Sequence, residues 1–170
     1  MACPCCNPQI SCANQCNGNG VPSQIAMQIT GVSFGANSEF DASDLEFDVP
    51  STFILPLLDP QSGCRLWGAS FLPRTTLCRE CGTTGGFGAI SGLGISVGRP
   101  ALDLDQLNVS IGIAFGAANA SGNCLGASGF FIANSIGNIC ALPLSGTATT
   151  QNSVCAATNI SSVAFTLEAA

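Results

Sequence analysis

From residue 24 onward, apolar side chains alternate with polar or small ones, the pattern of strands with one buried face. In Gln24 to Thr30, Ile25, Met27 and Ile29 fall on one side. Ser51 to Leu58 carries Phe53, Leu55 and Leu57 in phase, and Cys64 to Leu72 carries Trp67, Ala69 and Phe71. Phe87 to Val97 is a glycine-rich strand with Ile95 and Val97 on one face. Leu107 to Phe115 gives the clearest alternation: Leu107, Val109, Ile111, Ile113 and Phe115. Phe130 to Ala133 and Ile136 to Leu142 read as the next pair. Asn159 to Glu168 closes the chain with Val163, Phe165 and Leu167 in phase.

About eight short strands separated by Gly, Pro, Asn and Ser turns predict an all-β fold. The expected architecture is an antiparallel β-sandwich or jelly roll over residues 21–170. No segment sustains a helical repeat; the acidic stretch Glu39 to Asp48 is the one helix-tolerant region. Residues 1–20 differ from the rest. They hold five cysteines, two prolines and four asparagines with almost no apolar residues. Such a segment builds no core of its own. It is expected to be an irregular arm, pinned by covalent or metal links or by a neighbouring chain.

Composition changes the picture in two ways. Only 8% of the 170 residues are charged, against roughly a quarter in average soluble domains. The polar surface is therefore supplied by Ser, Thr, Asn, Gln and Gly, which repel other copies of the chain little. The net charge is −6 and the four cations are Arg65, Arg74, Arg79 and Arg99. Phosphate binding needs clustered Lys and Arg, so no nucleic-acid partner is expected. No apolar run approaches the ~18 residues of a membrane span, and residues 1–8 lack the cationic and apolar regions of a secretory leader. A particle released by lysis would carry such a chain into an oxidising medium without a leader.

Catalytic chemistry finds little to work with. The absence of His removes Ser-His-Asp and Cys-His arrangements, and the absence of Lys removes Schiff-base chemistry and the P-loop. The carboxylates at Asp41, Asp44, Glu46 and Asp48, and at Asp103 and Asp105, read as solvated loops or weak calcium sites. The chain is expected not to be an enzyme.

Eleven cysteines carry the strongest chemical signal. In one reading Cys3, Cys5, Cys6, Cys12, Cys16, Cys64, Cys124, Cys140 and Cys155 supply disulfides. An odd total leaves at least one thiol free, metal-bound or linked to another chain. In the other reading Cys78-x-x-Cys81 forms half of a structural zinc site, completed by Cys3 and Cys6 of the arm. Beyond that zinc no cofactor is expected. Arg65 and Trp67, sharing one face of the third strand candidate, are candidates for a sugar- or receptor-binding platform.

The Cys3-Pro4-Cys5-Cys6 cluster, the strand Pro22 to Gly31, the segment Cys64-Arg65-Leu66-Trp67 and the strand Leu107 to Phe115 follow one another in order. This order resembles a loosely defined group of uncharacterised cysteine-rich β-sandwich proteins of phages, prophages and environmental bacteria. The resemblance implies a virion-associated structural protein and carries over no catalytic residues. The expected partners are copies of the chain and other structural proteins of a particle, with the first 20 residues clasping a neighbour. The alternatives are a carbohydrate- or receptor-binding module and a subunit of an extracellular filament or sheath.

Overall fold

The computed structural model describes residues 12–36, 47–60, 63–71, 88–100, 106–118, 124–153 and 160–170, with the backbone alone at 88–92, 114–118, 124–129 and 151–153. Eight strands form one antiparallel sheet: β1 (Gln24–Phe34), β2 (Ser51–Pro56), β3 (Leu66–Phe71), β4 (Gly88–Gly98), β5 (Asn108–Ala118), β6 (Cys124–Ala133), β7 (Leu144–Ser153) and β8 (Ile160–Ala169). No α-helix occurs among the described residues; short 3-10 turns lie at Cys12–Asn14, Cys16–Gly18 and Ile139–Ala141.

The spatial order is β2-β1-β8-β7-β6-β5-β4-β3. Every consecutive pair of strands except β2 and β3 is therefore hydrogen-bonded side by side, and β8 returns to β1. The remaining seam, between β2 and β3, is bridged at Leu57 and Trp67. Leu58 N donates to Leu66 O at 2.7 Å, and the rings of Phe53 and Phe71 meet across the seam at 4.9 Å. The sheet thus curls into a nearly closed up-and-down barrel. The expectation of two facing sheets is corrected here. Alternation specifies only that each strand buries one face, and one sheet closed on itself satisfies that as well as a sandwich does.

The buried faces meet inside the barrel. Across β4 and β5, Leu93 pairs with Ile113, Ile95 with Ile111 and Val97 with Val109. Across β1 and β8, Met27 pairs with Leu167 and Ile29 with Phe165. All of these side chains are buried, and each contributes roughly 1.5–3 kcal/mol by leaving water. Eight strands leave an interior just wide enough for such side chains to fill, so the barrel holds a core.

Two strand assignments change. Ile136 to Leu142 is a turn, because Asn138 Oδ1 accepts from Cys140 N at 2.8 Å and holds a 3-10 turn over Ile139–Ala141. The seventh strand is instead β7, which hydropathy alone does not reveal. Its inward positions include Gly146 and Ala148, which face Phe165 and Val163 of β8. A Cβ added to Gly146 would lie 2.7 Å from Phe165 Cζ, so the large ring occupies the space a larger residue on β7 would need.

The strand ends define two poles. Gln24, Pro56, Leu66, Gly98, Asn108, Ala133, Leu144 and Leu167 cluster at one, as the registers Gln24–Pro56, Leu66–Gly98, Gly98–Asn108 and Leu144–Leu167 require. The residues Cys12 to Ser23 enter at this pole. The helix-tolerant stretch lies outside the described residues from Glu39 to Glu46.

Candidate functional site

The entry pole is where the chain gathers its polar and covalent chemistry. Between Cys12 and Val21 the backbone turns tightly. Cys16 and Asn17 adopt φ of 54° and 57°, followed by Gly18 at 86° and Gly20 at 77°. Only residues such as Gly and Asn enter this left-handed region readily. Gly20 N donates to Gln15 O at 2.9 Å and Val21 N to Cys12 O at 3.1 Å, closing the turn on itself.

Two disulfides fasten this turn across the pole. Cys12 bonds Cys64 in the β2–β3 connection, with Cα atoms 5.6 Å apart. Cys16 bonds Cys140 in the β6–β7 connection, with Cα atoms 5.1 Å apart. The connections they reach lie on well-separated strands of the barrel. The segment is further held by Trp67 Nε1, which donates to Pro22 O at 2.8 Å, and by Leu57 N, which donates to Ser23 O at 2.9 Å. Cys12–Gly20 are thus tied covalently to their own barrel.

Beneath the turn lies Arg99, only 5% exposed. It continues the inward phase of Leu93, Ile95 and Val97 past the end of β4. Its Nε donates to Cys64 O at 3.2 Å, and Nη2 donates to Cys64 O at 2.9 Å and to Gly63 O at 3.2 Å. Nη2 also donates to Gln15 Oε1. The guanidinium thus grips both sides of the Cys12–Cys64 link. Burial pulls its pKa below the ordinary guanidinium value; the charge of Asp59 opposes that shift and that of Arg65 adds to it. Asp59 itself organises the seam: Oδ1 accepts from Arg65 N and Leu66 N, both at 2.8 Å, and Oδ2 accepts from Arg65 N at 3.0 Å.

Outside the barrel, two open clefts adjoin. One, of about 540 Å³, runs past Asp59, Arg65, Arg99 and Asn108. The other, of about 490 Å³, is floored by Gly68, Gly94 and Gly112 and flanked by Leu58 and Phe130. They share Ser96 and Ser110. Leu58 is 55% exposed, Phe130 43% and Leu66 40%.

The sequence candidates separate accordingly. Arg65 is exposed and borders a cleft. Trp67 is fully buried, so its ring cannot stack on a ligand beside Arg65; its phase points it into the barrel. Cys12, Cys16, Cys64 and Cys140 are disulfide-bonded. Cys3, Cys5, Cys6, Cys78, Cys81 and Cys155 lie outside the described residues, and Cys124 opens β6 with only its backbone described. Among the described residues no group of three or more His, Cys, Asp or Glu side chains gathers to hold a metal ion. Arg99, Gln15 and Asp59 escaped the sequence reading. The one signal was parity: a charged residue at an inward position, next to the β4 core residues.

Comparison with known protein families, curated proteins and solved structures yields no match. Fold and pole together define a disulfide-tied, up-and-down β-barrel with a filled interior.

Proposed function

We propose that the chain is a structural assembly protein of a virus particle: a capsid decoration (cement) protein or a tail or fibre component, stabilised by disulfides. The observation that carries this reading is the interior. Apolar side chains from all eight strands fill it, from Ile25 on β1 through Phe131 on β6 to Leu167 on β8, which leaves the outer surface for recognition. That surface is weakly charged and rich in Gly and Ser, and it presents Leu58, Leu66 and Phe130. Neutral faces with isolated apolar knobs suit contact with further copies and with other structural proteins. Disulfides favour residence in an oxidising medium, as on a virion.

The test is co-purification. Particles from a lysate of the source culture, separated on a density gradient, should carry the chain at fixed stoichiometry with the major capsid or tail protein. Its confinement to the soluble fraction, together with a monomeric mass at every concentration, rejects the reading.

The adjoining outer clefts favour a second reading, a carbohydrate- or receptor-binding module. Its recognition would centre on Arg65 and Phe130. Glycan-array binding lost in Arg65→Ala, with the fold intact, would support it over assembly.

A further inference from the structure

Arg99 presents an unusual electrostatic arrangement. It is a buried cation whose hydrogen-bond partners among the described residues are all neutral oxygens: the carbonyls of Gly63 and Cys64 and the side-chain amide of Gln15. Buried charges are ordinarily paired. Asp59, close enough to act on Arg99 through its field, already receives the N–H groups of Arg65 and Leu66.

Two donors at this point have no acceptor among the described residues. Arg99 Nη1 and Gln15 Nε2 are both buried and neither has a hydrogen-bond partner among the described residues. They are also neighbours. Arg99 Nη2 and Gln15 Oε1 are joined by a hydrogen bond, and each orphan is the other terminal atom of the same planar group. An acceptor lodged beside that hydrogen bond is the simplest arrangement that would serve both donors. Leaving two such donors unsatisfied is costly, the more so for a charged group.

We propose that Arg99 Nη1 and Gln15 Nε2 form a binding site for one small monovalent anion of chloride size. Three features select that class. Among the described residues Arg99 has no carboxylate hydrogen-bonded to it and feels Asp59 only through its field, so an anion gains more there than water does. Both donors are shielded from solvent, which favours a compact ion over a bulky one. Both are N–H donors, which suit a spherical acceptor without directional lone pairs. The ion would bridge the turn, through Gln15, to the barrel, through Arg99. It would act as a non-covalent fastening beside the Cys12–Cys64 bond, binding the folded state alone and stabilising it by mass action.

Two measurements on the oxidised full-length chain decide the matter. Thermal unfolding is followed while chloride is exchanged for gluconate, an anion too large to enter, at constant ionic strength. The wild type should lose several degrees in Tm as chloride falls from about 150 mM to below 1 mM. Gln15→Leu removes one orphan donor from a partly exposed position and should show no chloride dependence; Arg99→Gln should behave likewise where it folds. Crystals grown with bromide should give an anomalous peak between Arg99 Nη1 and Gln15 Nε2. A chloride-independent wild-type Tm overturns the proposal. So does a crystal structure showing water there, or a protein carboxylate such as that of Asp103 or Asp105.

Discussion

The indole N–H of Trp67 donates a 2.8 Å hydrogen bond to the carbonyl of Pro22. The single tryptophan of a chain without tyrosine is thus attached to the segment that crosses the entry pole. Trp67 also forms the bridge with Leu57 that closes the barrel seam. One residue therefore senses both the covalent turn and the last junction of the sheet.

Intrinsic fluorescence should report on that turn. Replacing Cys12, Cys16, Cys64 and Cys140 together by Ser frees the segment from its two links. The emission maximum should move to longer wavelength and acrylamide quenching should rise, while far-UV circular dichroism keeps its β signature. Unchanged quenching would show that the hydrogen bonds at Pro22 and Ser23 hold the turn without the disulfides.

The two bonds should differ in weight. Cys16–Cys140 spans 124 residues and Cys12–Cys64 spans 52. Loss of either is expected to cost about 2–5 kcal/mol, and the loop-entropy account makes the longer link stronger by about 0.8 kcal/mol. Urea titration of Cys16→Ser/Cys140→Ser against Cys12→Ser/Cys64→Ser measures both the losses and their order.

Two glycines of the outer cleft should respond in opposite ways. A Cβ at Gly68 would lie 2.9 Å from Ile95 O, a backbone atom of the paired strand, whereas one at Gly94 meets nothing within 4 Å. Gly68→Ala is expected to cost about 1–3 kcal/mol. Gly94→Ala should be neutral or stabilising by up to about 1 kcal/mol, since it reduces unfolded-chain freedom. Chemical denaturation of the pair tests the close approach of β3 to β4.

Phe165 fills the interior opposite Gly146 and is buried. Phe165→Ala should cost about 3–5 kcal/mol through lost burial and the cavity left behind. Phe130, 43% exposed, should cost well under that when changed to Ala in the isolated chain. If it lies in an assembly contact, Phe130→Ala should instead weaken association, read by sedimentation.

Much of the fold was visible in the chain itself. The parity of Ile25, Met27 and Ile29, or of Val109, Ile111 and Ile113, identifies an inward face because successive side chains in a strand point to opposite sides. β7 was hidden for a physical reason. Its inward positions include Gly146 and Ala148, and the volume they lack is supplied by Phe165 and its neighbours on β8. Ile136 to Leu142 has the composition of a strand, yet the Asn138 side chain and the Cys16–Cys140 link hold it as a turn.

The sequence by itself determined that this chain folds as antiparallel strands with one apolar face each, carries few charges and is rich in thiols. Those properties are local: alternation, side-chain type and spacing. Only the tertiary structure decided that one sheet closes on itself and that Cys12 and Cys16 find Cys64 and Cys140. It also decided that Arg99 is buried against Gln15, 84 residues earlier in the chain. These depend on which distant segments share a pole of the barrel, and strand order sets that; no local pattern encodes it.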